Sequence, residues 1–349
     1  MNKNENRACS VPDMTDTEQA IFKGAKIIAQ GGIGAFPTET VYGLGGDATN
    51  PEAVARIYQA KGRPGDNPLI LHIVDKADFA KLADNPPNYA MALIDAYWPG
   101  PMTLVAKKKP HLPPWLGGHP ERAADTIGIR MPSHPIALAI IKASGCFVAA
   151  PSANKAGIPS PTLAQHVESD FTNSEIDFIV DGGQVPGGLE STVVDVTGAV
   201  PVILRPGAIT PKMVEEATGL KISENLTEAD TPRAPGMKYR HYAPKAPMTV
   251  IIGDDEHIAS YILAHASCKD GILVTTQVRA KLGNCYGEII ELGSSHEEVS
   301  YNLYASLRRF DRLGVEKIYA QGFVEEGLGA AIMDRMKKAA EGRIIHVTE

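Results

Sequence analysis

Two cationic side chains, Lys61 and Arg63, precede a turn rich in glycine and proline that also contains Asn67. Arginine offers a planar fork to a phosphate group, lysine offers a point charge and asparagine a neutral donor. The same charges could instead complement the C-terminal end of a helix dipole, because a helix is predicted to end at about Lys61. We favour a clamp that binds phosphate.

Further polar side chains stand at the ends of predicted strands or within them. Arg130 ends the apolar strand 126–130, and Arg205 follows the strand 202–204. Ligands of open α/β sheets bind at strand carboxyl ends, where an arginine pairs well with carboxylate or phosphate. His72 lies inside an apolar strand; such a histidine is usually structural, but here it could serve as a hydrogen-bonding group on a pocket floor.

Loops of small residues could let a ligand approach the backbone closely. One of them carries Ala150 and Ser152, and Ser191 stands where the chain re-enters the sheet. Ser152 is more simply a binding group than a nucleophile, because no GxSxG motif surrounds it. The glycines of 43–46 formally fit a dinucleotide fingerprint, but they do not lead straight into a helix, so we interpret them as a loop beside a ligand. No Gly-Lys dipeptide exists, which excludes a P-loop.

The segment 233–245 is basic in an otherwise acidic chain and contains no acid. A run of charges is usually a solvated face. Proline and tyrosine make this one stiff and adhesive, however, so we predict a lid that closes over a bound polyanion. The predicted lid residues are Arg233, Lys238, Tyr239, Arg240 and His241, followed by Tyr242.

Composition narrows the function classes. The formal charge of −7 argues against a broad nucleic-acid clamp, and no apolar run is long enough to span a membrane. The four cysteines form no CxxC pair and the histidines no HxxxH or HExxH pair, so no metal site is predicted. The polar N-terminus has no apolar signal core, and we expect a cytoplasmic protein with buried thiols.

The order of predicted elements divides the chain into four parts. Residues 1–14 form a mobile polar arm, and residues 15–210 a domain in which short strands alternate with helices. Residues 211–247 are predicted to be a linker that includes the lid. Residues 248–349 alternate strand and helix in a Rossmann-like, parallel α/β pattern. The 33 glycines and 26 prolines fall mostly in loops of the first domain and in the linker.

Several motifs occur together in one order, namely KGRPGDNPLILHI, PSANKAGIPSPT, GGLESTVVD with ILRPG, and PGMKYRHYAPKAP. Over about residues 15–349 the sequence resembles the two-domain threonylcarbamoyl-AMP synthases. The resemblance implies an α/β fold: a YrdC-like domain with a twisted mixed sheet and helices, plus a smaller Rossmann-like parallel α/β domain at the C-terminus.

The resemblance also implies a nucleotidyltransferase reaction. L-threonine, bicarbonate (or CO2) and ATP with Mg²⁺ would give threonylcarbamoyl-AMP and pyrophosphate. A downstream tRNA threonylcarbamoyl transferase machinery would then form threonylcarbamoyladenosine in tRNA, so no stable nucleic-acid or membrane binding is expected of this chain. Two alternatives stay open: a YrdC-like RNA-binding module, and a carbamoyltransferase-type maturation protein, which would normally carry zinc-finger or acylphosphatase modules that are absent here.

Site roles follow from the same resemblance. Lys61 and Arg63 would be catalytic, with Lys61 facing the phosphates or the nascent carbamate. The residues that would contact L-threonine are Thr40, His72, Arg130, Ala150 and Ser191. Those that would contact ATP or the adenylate are Arg63, Asn67, Thr126, Ser152, Ser160, Arg205 and Tyr242.

Overall fold

Two β-sheets, each packed against helices, organise the protein. The structure is a computed structural model and describes residues 15–223 and 241–348. The predicted arm 1–14 and four of the predicted lid residues (Arg233, Lys238, Tyr239 and Arg240) lie outside these ranges. No helix within them is both long and apolar enough to cross a membrane.

The first sheet has nine strands and is mixed in direction, as predicted. Its strands are β1 (Gly34–Pro37), β2 (Tyr42–Asp47), β3 (Ile70–His72), β4 (Met102–Lys107), β5 (Thr126–Arg130), β6 (Val148–Ala149), β7 (Phe178–Ile179), β8 (Thr192–Asp195) and β9 (Val202–Arg205). They run in the order β7-β1-β2-β6-β3-β5-β4-β8-β9. β3 and β5 are parallel while β6 is antiparallel to β3, so the loops that enter and leave these strands meet at one edge of the sheet.

Seven helices accompany this sheet. They are α1 (Asp16–Ala29), α2 (Pro51–Lys61), α3 (Ala77–Leu82), α4 (Asn88–Tyr97), α5 (Pro135–Ser144), α6 (Ala164–Asp170) and α7 (Pro211–Thr218). α7 lies within the predicted linker and packs against α4, where the Tyr97 hydroxyl donates to the Met213 carbonyl oxygen at 2.7 Å.

Local sequence fixes both ends of α2. The Asn50 side chain accepts hydrogen bonds from the amides of Glu52 and Ala53, and Pro51 occupies the first turn. Gly62 ends the helix in the left-handed conformation, at φ 59°. Lys61 is therefore the last residue of α2. Arg63 follows directly after Gly62, where the chain turns.

The glycine-rich segment 43–46 is a strand and not a loop, which corrects the interpretation from the sequence. It belongs to β2, which pairs with both β1 and β6. A Cβ atom at Gly45 would lie 2.4 Å from the ring of Phe36. Gly45 is thus required by close packing inside the sheet. Gly43 forms a backbone bridge with Ser152, in the loop that follows β6.

The second sheet has five strands, all parallel, as the Rossmann-like pattern predicts. Its strands are β10 (Met248–Ile252), β11 (Gly271–Val274), β12 (Glu288–Glu291), β13 (Ile318–Gln321) and β14 (Ile344–His346). The order is β12-β11-β13-β10-β14. Its helices are α8 (Asp255–His265), α9 (Thr276–Lys281), α10 (His296–Leu313) and α11 (Leu328–Ala339). α10 and α11 reach the first domain through Arg308 and Arg335.

Candidate active site

An open cavity of about 960 Å³, open solvent included, lies at the edge of the first sheet and is lined by the first domain together with His241 and Tyr242. The cavity brings together nearly all of the predicted site residues, which come from distant parts of the chain. Those in its lining are Thr40, Lys61, Arg63, Asn67, His72, Arg130, Ala150, Ser152, Ser160, Ser191, Arg205, His241 and Tyr242.

Among the predicted site residues that the structure describes, Thr126 is the one that does not line this cavity. It begins β5, whereas Arg130 ends it, so the two are separated by about 13 Å of extended chain. Thr126 lines a different surface cavity together with Lys107 and Lys108. The cavity gives no support to its assignment as an ATP contact, which stays a prediction.

The turn after α2 holds Arg63 in a fixed orientation. The Arg63 Nη2 donates to the Asn67 Oδ1 and to the Pro68 carbonyl oxygen, both at 2.7 Å, and Nε donates to the Asn67 carbonyl oxygen at 3.0 Å. Burial lowers the pKa of Arg63 to about 10, which leaves the guanidinium charged at neutral pH. The turn therefore presents a preorganised cation to the cavity.

Lys61 is only 3% exposed, and its ammonium is held by backbone oxygens. Nζ donates to the Ser152 carbonyl oxygen and, at 2.6 Å, to that of Asn154. Burial, helped by the neighbouring Arg63, lowers the pKa of Lys61 well below its usual value. Lys61 thus ties α2 to the loop after β6 and brings a poorly solvated amine to the cavity.

Strand register places His72 beside Arg130. These residues pair directly across the parallel strands β3 and β5, and both are buried. The Arg130 Nη2 lies 2.7 Å from the Glu39 Oε1, a charge contact whose angle is not that of a hydrogen bond. Burial alone would raise the pKa of Glu39, but the Arg130 guanidinium outweighs it and holds that pKa below its usual value. The Glu39 carboxylate therefore stays charged beside Arg130 at the sheet edge.

Ser191 and Arg205 form a second polar wall. The Arg205 Nε donates to the Ser191 carbonyl oxygen at 3.1 Å, and its Nη2 donates to the Ser191 Oγ at 3.2 Å. The Thr103 Oγ1 lies 2.8 Å from the same Ser191 Oγ, so the hydroxyl has a fixed position. β8 and β9, which are antiparallel neighbours, hold these two residues together.

The chain that follows the undescribed segment returns over the cavity. Tyr242 has a φ of 63° and stacks on Tyr304 of α10, with ring centroids 5.4 Å apart. His241 lines the cavity, and no described group bonds to its buried Nε2 atom. Burial and the Arg63 charge lower the pKa of His241 to about 4, so the imidazole is neutral at pH 7.

Two lining residues with structural roles are absent from the predicted site. Glu190 is the only acid among the described lining residues, and it belongs to the GGLESTVVD motif. Its pKa falls to about 2, because Arg335 and Arg205 outweigh its burial. Asn154 stabilises its own loop, because its Nδ2 atom donates to the carbonyl oxygens of Lys155 at 2.7 Å and of Ile158 at 3.1 Å.

Charge in the cavity is therefore predominantly positive, because the guanidinium groups of Arg63, Arg130 and Arg205 and the amine of Lys61 face a single described acid, Glu190. Such a wall suits a ligand with several negative charges. Within the described ranges no group of three or more His, Cys, Asp or Glu side chains could hold a metal ion.

Stability should depend on pH through His72. Burial, followed by the Arg130 charge, lowers its pKa to about 3, whereas the ordinary value is 6.5. Between pH 6.5 and pH 3 the unfolded chain therefore binds the extra proton, and acidification destabilises the fold. The free energy of unfolding, measured by urea titration, should drop between pH 7 and pH 5. We expect this drop to be about 2 kcal/mol smaller in His72→Asn than in the parent protein.

The matched control for this experiment is His111→Asn, which replaces an exposed histidine. Equal pH dependence in His72→Asn and the parent protein would contradict a buried neutral imidazole at position 72.

Comparisons with known proteins agree with this geometry. The Sua5–YciO–YrdC family model, described as "Telomere recombination", matches residues 26–207. The model described as "Threonylcarbamoyl-AMP synthase, C-terminal domain" matches residues 209–341. Threonylcarbamoyl-AMP synthase of Bacillus subtilis is 41% identical over 95% of this chain and 96% of its own length. The Pyrococcus abyssi enzyme is 43% identical over the same shares.

A solved structure extends the likeness to three dimensions. Pyrococcus abyssi Sua5 complexed with L-threonine superposes with a TM-score of 0.85 at 41% identity, and the match covers 96% of this chain and 98% of the solved one. The match therefore extends over both sheets and nearly the whole chain. The chain belongs to the threonylcarbamoyl-AMP synthase family.

Proposed function

We propose that the cavity joins L-threonine, bicarbonate (or CO2) and ATP, and releases threonylcarbamoyl-AMP and pyrophosphate. The observation that carries the proposal is the convergence of Lys61, Arg63, Arg130 and Arg205 on one cavity whose described lining contains a single acid. All three substrates are anionic or carry a carboxylate, so this wall suits them together. The relative from Pyrococcus abyssi, solved with L-threonine, supports the choice of amino acid.

The threonine part of the cavity would be the edge formed by β3, β5 and β8. Arg130 would pair with the amino-acid carboxylate, since its fork matches that group. His72 is neutral at pH 7, because its pKa is about 3, and would act as a hydrogen-bonding group and not as a cation. The hydroxyls of Thr40 and Ser191 and the backbone at Ala150 would complete the contacts.

The nucleotide part would be the opposite set of loops. Arg63 and Arg205 would neutralise phosphate oxygens. Asn67 fixes the Arg63 fork through its Oδ1 atom, at 2.7 Å from Nη2. The residues that would complete this part are Ser152, Ser160 and Tyr242. Lys61 would lie next to both parts and would face the phosphates or the new carbamate.

The chemistry requires two anions to approach each other. The threonine amine forms a C–N bond with CO2 and loses a proton, which gives a carbamate. A carbamate oxygen then attacks the α-phosphorus, and the bond to the β-phosphate oxygen breaks to release pyrophosphate. Preorganised cations stabilise this approach, so positioning and electrostatics can supply the catalysis without a covalent enzyme intermediate.

Mg²⁺ would reach the cavity as part of the ATP substrate. The donor set does not fit a dedicated magnesium cage, because the nearby Glu190 carboxylate already accepts hydrogen bonds from Ser160, Tyr304 and Arg335. Magnesium commonly keeps waters and phosphate oxygens as ligands, and it supplies charge neutralisation when bound in that way.

The product is a reactive mixed anhydride, which must reach an acceptor before water does. We infer that a separate tRNA threonylcarbamoyl transferase machinery consumes it to form threonylcarbamoyladenosine. The alternative of an RNA-binding module is less consistent with the cavity, because Lys61, Arg130 and Arg205 are buried and not spread over a surface.

Pyrophosphate release measured with each of the twenty amino acids, with and without bicarbonate, tests the proposed function. We expect release that requires ATP and bicarbonate and is strongest with L-threonine. The matched control omits the amino acid. Release that ignores the amino acid, or tight RNA binding without release, would contradict the proposal.

Selectivity for the threonine methyl group should be modest. One methyl group in an apolar contact is worth about 1–3 kcal/mol, so L-serine should support turnover with a kcat/KM about 10 to 200 times lower. Competition between the two amino acids in the pyrophosphate assay measures this ratio. Complete inactivity with serine would mean that a different contact selects the substrate.

A further inference from the structure

The second domain places a buried arginine directly behind the cavity wall. Arg335 lies on α11 and has 0% exposure. Its Nε donates to the Glu190 Oε2 at 3.0 Å, and its Nη1 donates to the Pro206 carbonyl oxygen at 2.7 Å and to the Asp334 Oδ2 at 2.8 Å. One guanidinium thus holds two segments of the first domain, one that leads into β8 and one that leaves β9.

Each of those two segments carries a lining residue next to the contact. Glu190 precedes Ser191, and Pro206 follows Arg205. Ser191 and Arg205 also bond to each other, through the Arg205 Nε and the Ser191 carbonyl oxygen at 3.1 Å. Arg335, Glu190, Ser191, Arg205 and Pro206 therefore form a closed ring of bonds, in which the second domain supplies one member.

The ring is tightly packed, so a shift of one member would displace the others. A Cβ atom at Gly207 would lie 2.4 Å from the Thr192 amide nitrogen, so the two segments touch without a side chain between them. Glu190 has further partners, because the Tyr304 hydroxyl donates to Oε2 at 3.0 Å and the Ser160 Oγ donates to Oε1 at 2.5 Å. The Glu190 carboxylate therefore has little freedom to move.

Another buried ion pair crosses the same boundary and offers a comparison. The Arg308 Nη2 of α10 lies 2.6 Å from the Asp170 Oδ2 of α6. Neither Asp170 nor its chain neighbours line the cavity. Both pairs therefore hold the two domains together. Arg308 also donates to the Pro159 carbonyl oxygen, beside the lining residue Ser160, so the control replaces Asp170 and leaves Arg308 in place. Contact with the cavity wall through Glu190 and Pro206 belongs to Arg335.

Buried ion pairs are a weak source of net stability, since desolvation offsets much of their attraction, but in some proteins they specify a unique arrangement. We propose that Arg335 is a positioning residue that holds Ser191 and Arg205 at the spacing that the two substrates require. The second domain thereby completes the active site without touching a substrate. The kinetic part of this inference rests on the proposed function.

The test compares Arg335→Met with Asp170→Asn and with the parent protein. We expect Arg335→Met to raise KM for both threonine and ATP by about tenfold or more, because a displacement of about 1 Å in a positioning group costs up to about 10²-fold. Asp170→Asn should lower the melting temperature and leave both KM values within about twofold. Hydrogen exchange over residues 187–210 should accelerate in Arg335→Met alone.

Two further variants separate position from folding. Glu190→Gln combined with Arg335→Met removes the stranded buried charge, so the melting temperature should recover while both KM values stay raised. Arg335→Lys keeps a charge beside Glu190 but loses the bond to the Pro206 carbonyl oxygen. Its KM values should lie between those of the parent protein and of Arg335→Met.

Unchanged KM values and unchanged exchange in a folded Arg335→Met or in the double variant would overturn the inference. The same is true if Asp170→Asn raises KM to the same extent, because docking alone would then explain the effect. A parent protein that fails to release pyrophosphate would instead contradict the proposed function. Hydrogen exchange over 187–210 would still decide whether Arg335 positions the wall.

Discussion

Arg63→Ala is expected to lower the rate of threonylcarbamoyl-AMP formation by about 10²-fold or more. Loss of one preorganised electrostatic contact has an effect of this size. The guanidinium lines the cavity and is already bonded on one side to Asn67 and Pro68, through Nε and Nη2. Its orientation is therefore set before a nucleotide arrives, and alanine removes both the charge and the anchor of the turn.

Pyrophosphate release under saturating and limiting ATP measures the effect of Arg63→Ala. Arg63→Lys should recover only part of the rate, since a lysine keeps the charge but cannot reproduce the fork. Arg56→Ala is the matched control on the helix that precedes Arg63. Arg56 forms an exposed ion pair with Asp177 at 2.9 Å, so this variant should leave turnover unchanged. Near-normal turnover in Arg63→Ala would refute the phosphate clamp.

Local sequence was enough to predict the elements that carry the site. The predicted end of a helix at about Lys61 and the predicted strand 126–130 agree with the structure. Signals of this kind depend on residues only a few positions apart, so they can be recognised from the sequence alone. Short elements without a clear period (α3, α9 and β14) did not give such a signal and were not predicted.

Properties that depend on partners distant in sequence could not be predicted in the same way. Glycine at 45 is explained by the ring of Phe36 and by Val148, which lies about a hundred residues later on β6, so the sequence alone indicated a loop there. The burial of Lys61 depends on carbonyl oxygens of Ser152 and Asn154, about ninety residues later. Glu190 was overlooked because its role arises from Arg335 in the second domain.

The second large effect is expected on threonine binding, when Arg130 is replaced. Arg130→Gln should lower kcat/KM for threonine by about 10²-fold or more and leave nucleotide binding in the absence of threonine nearly unchanged. Removal of one partner of a buried charge pair costs about 2–5 kcal/mol. Arg130 is 4% exposed and lies beside His72, so no other cation on these two strands replaces it for a carboxylate. Calorimetric titration with threonine and with ATP separately measures the two affinities.

Glu39 provides the control that keeps this experiment interpretable. In Arg130→Gln the Glu39 carboxylate loses the charge that lies 2.7 Å away, and a buried unpaired carboxylate destabilises the fold. Glu39→Gln combined with Arg130→Gln removes both charges, so this variant should fold with near-normal stability and still fail to bind threonine. If the double variant binds threonine normally, the carboxylate contact lies elsewhere in the cavity. If it binds neither threonine nor ATP, the two parts of the cavity are not separable, and Arg130 acts on the whole site.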